Sequence, residues 1–172
     1  MPHHVLLEVG RLAGRVHSYR GRAARVTRGE PMLTASDLMT RAPATVGPTT
    51  KIRTAIEILQ TLEIRHLPVV DDDGELIGML SDRDLRVLST AYFVDEEQHD
   101  TLRVALDGTV ASLMSADVLS VEEEADAAEI VELMLEQKIG AVPVTDADGA
   151  LVGIVSYIDV LRMLPIEASA AQ

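Results

Sequence analysis

Two short sequences of the form Ser-x-x-Asp carry side chains that could bind a ligand. They run from Ser81 to Asp84 and from Ser156 to Asp159, and each follows an apolar run that contains a glycine. A serine followed three residues later by an acid is also the pattern of a helix N-cap, which needs no ligand. The carboxylate could instead accept hydrogen bonds from a ligand's hydroxyl groups, beside helix amides that carry positive potential. Both interpretations stay open, and the recurrence of the motif favours the ligand role.

The motif recurs because the chain contains an internal duplication. At an offset of 75 residues, residues 36–89 align without a gap with residues 111–164. Two units of this size are marginally stable alone, so they are expected to share a core. The identical pairs include Leu38/Leu113, Met39/Met114, Ile64/Ile139, Pro68/Pro143, Asp71/Asp146, Gly74/Gly149, Gly78/Gly153, Ser81/Ser156 and Asp84/Asp159.

Each unit changes its hydrophobic period in the same order. A helical stripe at residues 52–59, or 127–134, precedes two short apolar runs, and an acidic turn ending in glycine joins those runs. The stripe predicts an amphipathic helix and the two runs predict a β-hairpin. The Ser-x-x-Asp motif then opens a closing helix. The predicted unit is therefore β-α-β-β-α, with a short helix before it at residues 36–39 and 110–114.

The segment from Ile64 to Asp84 resembles the signature of the cystathionine-beta-synthase (CBS) domain. It consists of Ile-Arg-His-Leu-Pro-Val-Val, then Gly74, then Gly-Met-Leu-Ser-Asp-Arg-Asp, and residues 139–159 repeat the pattern. The resemblance implies an α/β (α+β) fold in which two β-α-β-β-α repeats pack with pseudo-twofold symmetry and leave two clefts. Repeat 1 is expected at residues 32–90 and repeat 2 at residues 109–165. The family also implies a homodimer.

The resemblance implies a regulatory protein, not an enzyme, that binds an adenine nucleotide. AMP, ADP or ATP is expected, or S-adenosylmethionine, and no cofactor or metal is required. In the family the aspartates accept from the ribose hydroxyls, which maps onto Asp84 and Asp159, and the serines at Ser81 and Ser156 touch ribose or phosphate. Backbone at Thr45, Val46, Ser120 and Val121 would meet the adenine edge, and the walls of the slot would be Ile64, Pro68, Ile139 and Pro143.

The two units differ where a phosphate would bind. The family often places basic residues just before the Leu-Pro element, and here Arg65 and His66 occupy those positions. Gly140 and Ala141 replace them in the second unit. We therefore expect one phosphate-competent cleft, lined by Ile64, Ser81 and Asp84 with Arg83 as a further cation. The other cleft is expected to hold an uncharged nucleoside part, a different ligand or nothing.

Charge and composition bound the remaining possibilities. The chain has 172 residues, a net charge of -13 and no cysteine. Residues 1–31 carry six arginines against two glutamates, so the rest is strongly acidic and is not expected to bind nucleic acid. This basic extension is predicted to be disordered or not native, with a DNA-directed arm as the alternative. No apolar run is long enough to span a membrane, which favours a cytoplasmic protein.

Other segments suggest connectors and a second function class. Residues 91–108 are predicted to be an acidic linker and residues 166–172 a tail. The sequence from Asp71 to Glu75 resembles a calcium loop, but it lacks the alternating ligands and the distal Glu, so a hairpin turn is expected. The alternative function is a ligand-free dimeric scaffold or regulatory subunit that binds an unknown protein partner. Catalysis is not expected, since no nucleophile and base pair recurs.

Overall fold

The computed structural model describes residues 16–19, 33–90 and 103–163 and has a mixed α/β architecture. The strands are β1 (Val16–Ser18), β2 (Thr40–Arg41), β3 (His66–Val70), β4 (Leu76–Ser81), β5 (Val118–Glu122), β6 (Ala141–Thr145) and β7 (Leu151–Ser156). The helices are α1 (Ala35–Leu38), α2 (Ile52–Thr61), α3 (Asp82–Thr90), α4 (Ala127–Gln137) and α5 (Tyr157–Arg162), with a 3₁₀ turn at Val110–Ser112.

The larger sheet is built around the three strands of the second repeat, β5, β6 and β7. Five strands pair in the order β1-β5-β6-β7-β2, while β3 and β4 form a separate antiparallel pair. In the first repeat the counterpart of β5 is reduced to one bridge, from Val46 to Val69, and another bridge joins Met79 to Ser115. The predicted α/β class and element order are therefore confirmed. The first strand of the first repeat, however, consists of a single bridged residue, Val46.

Strand β1 lies in the extension for which disorder or a non-native origin was predicted. Val16–Ser18 pairs in parallel with residues 118–120 of β5, and the Tyr19 amide donates to the Ser120 carbonyl at 2.8 Å. This edge strand satisfies the outer backbone groups of β5. The expectation of disorder is thus corrected for these residues. The rest of residues 1–31, apart from the adjoining Tyr19, lies outside the described residues, as do residues 91–102 of the predicted linker and the predicted tail.

Reciprocal hydrogen bonds relate the two repeats by a pseudo-twofold axis. The Leu76 amide donates to the Gly149 carbonyl at 3.5 Å, and the Leu151 amide donates to the Gly74 carbonyl at 3.4 Å. Exchanging each residue for its counterpart 75 positions away in the other repeat converts the first bond into the second. The predicted pseudo-twofold symmetry is therefore confirmed.

The two hairpin turns meet on this axis. Glu75 forms an antiparallel bridge with Ala150, its counterpart in the other repeat. Within the first turn the Asp71 carboxylate accepts hydrogen bonds from the amides of Asp73 at 3.0 Å and Glu75 at 2.9 Å. Asp146 makes the same two bonds in the second turn. Because each aspartate is used by its own turn, the acidic segment is a hairpin connection, as predicted, and not a calcium loop.

Each repeat completes its core with the short helix that precedes the other repeat. Helix α1 leads into repeat 1, yet Ala35 and Met39 are buried in the core of repeat 2, where Met39 lies against Gly153 of β7. In the counterpart contact, Met114 leads into repeat 2 and lies against Gly78 of β4. The prediction that these methionines belong to the core is confirmed. The exchange also explains why neither small repeat is complete alone.

No helix among the described residues is both long and apolar enough to cross a membrane.

Replacing Gly153 with alanine tests the exchange. The new Cβ would lie 2.8 Å from Cγ and 3.0 Å from Cβ of Met39, so the side chain cannot simply rotate away. We expect Gly153→Ala to lower the free energy of unfolding by about 1–3 kcal/mol in urea titrations. Gly47→Ala is the matched control, because its Cβ would approach no atom closer than 4.0 Å. It should change stability by less than about 1 kcal/mol.

A double-mutant cycle with Met39→Ala separates this contact from a general intolerance of Gly153 to substitution. Truncating Met39 removes the atoms that the new methyl group meets, so the combined cost should fall below the sum of the single costs. Strictly additive costs would contradict the packing contact.

Candidate functional site

Two clefts lie between the repeats, one at each Ser-x-x-Asp motif. The Asp84 cleft has a volume of about 660 Å³ and the Asp159 cleft about 550 Å³, both within the range of small-molecule sites. The Asp84 cleft is lined by Met79, Ser81, Arg83, Asp84, Val118, Leu119, Lys138, Ile139, Gly140 and Pro143, among others. The Asp159 cleft is lined by Pro43, Ala44, Glu63, Ile64, Ile154, Ser156, Ile158, Asp159 and Arg162, among others.

The clefts are composite, because each combines its acidic motif with walls from the other repeat. Ile139 and Pro143 line the Asp84 cleft, whereas Ile64 lines the Asp159 cleft. The expected grouping of Ile64 with Ser81 and Asp84 is therefore corrected. The pseudo-twofold axis sets the beginning of each repeat's second strand against the closing helix of the other repeat, and a linear sequence does not display that axis.

Both aspartates hold the helix N-cap with one carboxylate oxygen. Asp84 Oδ2 accepts from the Ser81 amide at 2.7 Å and from the Ser81 hydroxyl at 2.6 Å. Asp159 Oδ2 accepts from Ser156 in the same way, at 2.8 and 2.6 Å. The second oxygens differ: Asp159 Oδ1 accepts from the exposed Arg162 at 3.3 Å, whereas Asp84 Oδ1 accepts no hydrogen bond within the described residues. Capping and ligand binding are therefore compatible at Asp84.

Five of the predicted site residues do not line either cleft. Val46 and Val121 are buried in the two hydrophobic cores, and the buried Ser120 hydroxyl pairs with the Thr145 hydroxyl at 3.2 Å. Thr45 is exposed and Pro68 is buried, both outside the linings. The chain segments that do line the clefts lie just before the predicted ones, at residues 42–44 and 117–119.

Backbone alternation identifies the residues that present hydrogen-bonding groups to the clefts. The Ser120 carbonyl faces β1, so the amide and carbonyl of its neighbour Leu119 face the opposite side, toward β6. Pairing between β5 and β6 begins only at Val121, which leaves Leu119 facing the gap that forms the Asp84 cleft. Ala44 is the counterpart in the Asp159 cleft, because Val46 begins the pairing with β3 there.

Charges at equivalent positions distinguish the two clefts. Lys138 at the end of α4 lines the Asp84 cleft, and its counterpart in the Asp159 cleft is Glu63. Arg83 lines the Asp84 cleft and donates to the Lys138 carbonyl at 3.3 Å, while its counterpart is Ile158. Sequence reasoning missed Lys138. The signal was present as a reversal of charge, Lys against Glu, at matched positions just before Ile64 and Ile139.

A wall of four residues separates the clefts and lines both of them: Arg65, His66, Ala141 and Tyr157. The Arg65 guanidinium donates to the Tyr157 hydroxyl at 3.0 Å. The His66 ring lies against Gly140, where a Cβ atom would be only 2.9 Å from Cε1. Arg65 and His66 were expected at one cleft only, and the structure corrects this by placing them on the shared wall.

Burial lowers the pKa of His66 below its ordinary value of 6.5. The Asp82 carboxylate acts in the opposite direction, and the Arg83 and Arg65 guanidinium groups add to the decrease. At neutral pH the wall therefore contains a neutral imidazole, so Arg65 supplies its positive charge.

The described residues contain no group of three or more His, Asp or Glu side chains that could hold a metal ion.

Comparison with known proteins identifies related chains and folds. The sequence matches the CBS-domain family model twice, at residues 35–89 and 110–166. A CBS domain-containing protein from Dictyostelium discoideum is 34% identical over 127 residues, which span 74% of this chain and 88% of the relative.

Two solved structures share the fold. One is CBSX2 in complex with AMP, 33% identical with a TM-score of 0.64 over 75% of this chain and 93% of that chain. The corresponding protein is a chloroplastic CBS domain-containing protein of Arabidopsis thaliana. The other is the CBS domain pair of protein MJ0100 in complex with 5′-methylthioadenosine and S-adenosyl-L-methionine, 26% identical with a TM-score of 0.65 over 77% of this chain and 95% of that chain.

The pKa of His66 makes the stability of the protein depend on pH. The unfolded chain binds the His66 proton more tightly than the folded chain does. The contribution of neutral His66 to the free energy of unfolding is therefore fully present above the unfolded-state pKa. It is lost as the pH falls through that value toward the folded-state pKa. Between about pH 7.5 and about pH 5.5, the wild type should lose more unfolding free energy than His66→Gln, which cannot titrate.

Chemical denaturation at each pH measures this difference, and an NMR titration of the His66 ring protons measures the pKa directly. A pKa at or above the ordinary value, or an equal pH-dependent loss in both proteins, would contradict the burial argument.

Proposed function

Because the chain belongs to the CBS-domain family, we propose that it is a regulatory protein that binds an adenosine ligand in the Asp84 cleft. The observation that carries the proposal is Asp84 itself. Its carboxylate caps α3 through Oδ2, and Oδ1 accepts no bond within the described residues while Asp84 lines the cleft. A carboxylate in this position is suited to accept hydrogen bonds from the two hydroxyls of a ribose.

The other parts of the cleft suit the base. Leu119 directs its backbone amide and carbonyl into the gap, where they match the donor and acceptor edge of an adenine. Val118, Ile139 and Pro143 supply apolar walls for the flat ring. Apolar walls with a few fixed polar groups are the usual composition of a small-molecule site. These contacts take the place of those first expected at Ser120 and Val121.

The cations of the Asp84 cleft favour a phosphate-bearing ligand. Lys138, Arg83 and Arg65 all line it. The hydrogen bond from Arg83 to the Lys138 carbonyl holds the Arg83 side chain at the end of α4. AMP, ADP and ATP fit this chemistry, because guanidinium and ammonium groups pair well with phosphate oxygens. Complexes with AMP and with S-adenosyl-L-methionine in the two similar structures support an adenosine ligand in general.

A ligand in this cleft would sense the relative position of the repeats. The ribose acceptor belongs to repeat 1, and the backbone of Leu119 and the wall at Ile139 belong to repeat 2. Binding therefore favours whichever arrangement places both sets of groups at ligand distance, which is how a ligand shifts a conformational equilibrium. The proposed regulation needs no covalent step.

A ligand-free dimeric scaffold is the second candidate. Ile158 and Leu161 are 40% and 51% exposed on α5, and they offer an apolar surface to a second copy or another protein. A stable dimer without any nucleotide response would favour this function over the first.

Replacing Asp84 with asparagine tests the nucleotide site. We expect Asp84→Asn to weaken AMP binding by about tenfold or more, because hydrogen bonds to a charged acceptor are lost. Isothermal titration calorimetry on protein freed of carried-over nucleotide measures this, with AMP, ADP, ATP, 5′-methylthioadenosine and S-adenosylmethionine compared.

Asp159→Asn is the matched control, because it alters the same helix cap in the other repeat. Each substitution should cost about 1 kcal/mol of cap stability at most. Only Asp84→Asn should weaken AMP binding in the Asp84 cleft. Asp159→Asn should leave the AMP affinity of the Asp84 cleft within about twofold of the wild-type value. No binding by the wild type, or equal loss in both variants, would refute the proposed site.

A further inference from the structure

The asymmetry between Arg65-His66 and Gly140-Ala141 has a steric cause at the wall between the clefts. The His66 ring occupies the space beside Gly140, where a Cβ atom would lie 2.9 Å from Cε1 and 3.0 Å from Nε2. Any side chain at position 140 would therefore have to displace the His66 ring. The glycine at position 140 fits the space that the His66 ring leaves, so the missing arginine there does not show that either cleft is inactive.

The single arginine of the wall reaches both clefts. Arg65 lines the Asp84 cleft and the Asp159 cleft, and its guanidinium bonds to the Tyr157 hydroxyl, which lines both as well. Since Gly140 is the counterpart of Arg65, no second guanidinium at the equivalent position serves the other cleft. The remaining cations are divided: Arg83, Arg86 and Lys138 line the Asp84 cleft, and Arg162 lines the Asp159 cleft.

We propose that Arg65 is shared between the two clefts and couples them, so that two phosphate-bearing ligands bind with negative cooperativity. This inference rests on the proposed function. One guanidinium carries a single positive charge, which two phosphates on opposite sides of the wall would have to share, and the two phosphates also repel each other. The first phosphate pairs with the Arg65 guanidinium, and the second ligand then binds to a cleft in which Arg65 is already paired.

The remaining charges decide which cleft takes the phosphate. The Asp84 cleft keeps three cations besides Arg65, namely Arg83, Arg86 and Lys138. Its lining carboxylates are Asp82, Asp84 and Asp117. The Asp159 cleft has Glu63 at the position of Lys138, and Arg162 there already pairs with Asp159 at 3.3 Å. The preferred doubly occupied state therefore has a phosphorylated adenosine ligand in the Asp84 cleft and an uncharged adenosine derivative in the Asp159 cleft.

Methyl NMR on the full chain can follow each cleft separately. Ile139 lines only the Asp84 cleft and its counterpart Ile64 only the Asp159 cleft, so their δ1 methyl groups report the two occupancies. The AMP affinity of the Asp159 cleft is measured in two proteins. In wild type the Asp84 cleft fills first. In Asp84→Asn the measurement is made at AMP concentrations that leave the Asp84 cleft empty. We expect at least about a fivefold weaker affinity in wild type.

Adenosine provides the uncharged comparison, and two arginine variants provide the controls. With adenosine as the ligand of the Asp159 cleft, filling the Asp84 cleft with AMP should change its affinity by no more than about twofold. In Arg65→Gln, filling the Asp84 cleft should likewise change the AMP affinity of the Asp159 cleft by no more than about twofold. Arg83→Gln removes an arginine that lines one cleft only, so it should weaken AMP in the Asp84 cleft and preserve the coupling.

The outcomes distinguish this inference from the proposed function. Equal AMP affinities of the Asp159 cleft with the Asp84 cleft filled or empty would overturn the coupling and leave the proposed function intact. The same holds if the Asp159 cleft binds neither AMP nor adenosine, or if Arg65→Gln preserves the negative cooperativity. If the wild type binds no adenosine ligand in either cleft, both proposals fail.

Discussion

The exchange of short helices between the repeats is the constraint on which the rest of the structure depends. Met39 packs on Gly153 and Met114 packs on Gly78, so the short segment before each repeat packs on the sheet of the other repeat. A repeat of this size buries too small a fraction of its surface to be stable alone. The exchange makes the two halves one folding unit, and it fixes the distance and the rotation between them. Glycine is needed at both contacts because the methionine lies directly on the strand backbone.

Composite clefts follow from that arrangement. Once the repeats are locked around a pseudo-twofold axis, the beginning of β6 lies opposite α3 and the beginning of β3 lies opposite α5. The strands that open each repeat pair with their neighbours only from Val46 and Val121 onward, and the gaps before those residues become the clefts. Each cleft therefore takes its carboxylate from one repeat and its backbone edge from the other.

The sequence predicts most of the fold and only part of the site, for physical reasons. Helix stripes, hairpin turns and caps depend on local chemistry, so Asp71 and Ser81 behave as their spacing indicates. The backbone of Val46 and Val121 was expected at the adenine edge, but it pairs with β3 and β6 instead. The gap begins two residues earlier, and its position depends on where strand pairing starts. No local pattern shows that.

Partner assignment across the axis was likewise invisible in the sequence. Ile64 and Asp84 are close along the chain and lie in the same repeat, yet they line different clefts. Lys138 was overlooked because it belongs to the other repeat. Its contrast with Glu63 becomes meaningful only when the two clefts are superimposed.

Some of the positions at which the repeats differ lie on or beside the pseudo-twofold axis. Away from the axis, counterparts meet different partners and can stay identical, as the cap residues Ser81 and Ser156 do. On the axis a residue meets its own counterpart, and two large or like-charged side chains cannot share that space. Glu75 accordingly bridges to Ala150, and His66 lies against Gly140, the counterpart of its neighbour Arg65. Duplication thus supplies two clefts of the same construction, and the shared wall between them takes its arginine, Arg65, from the first repeat only.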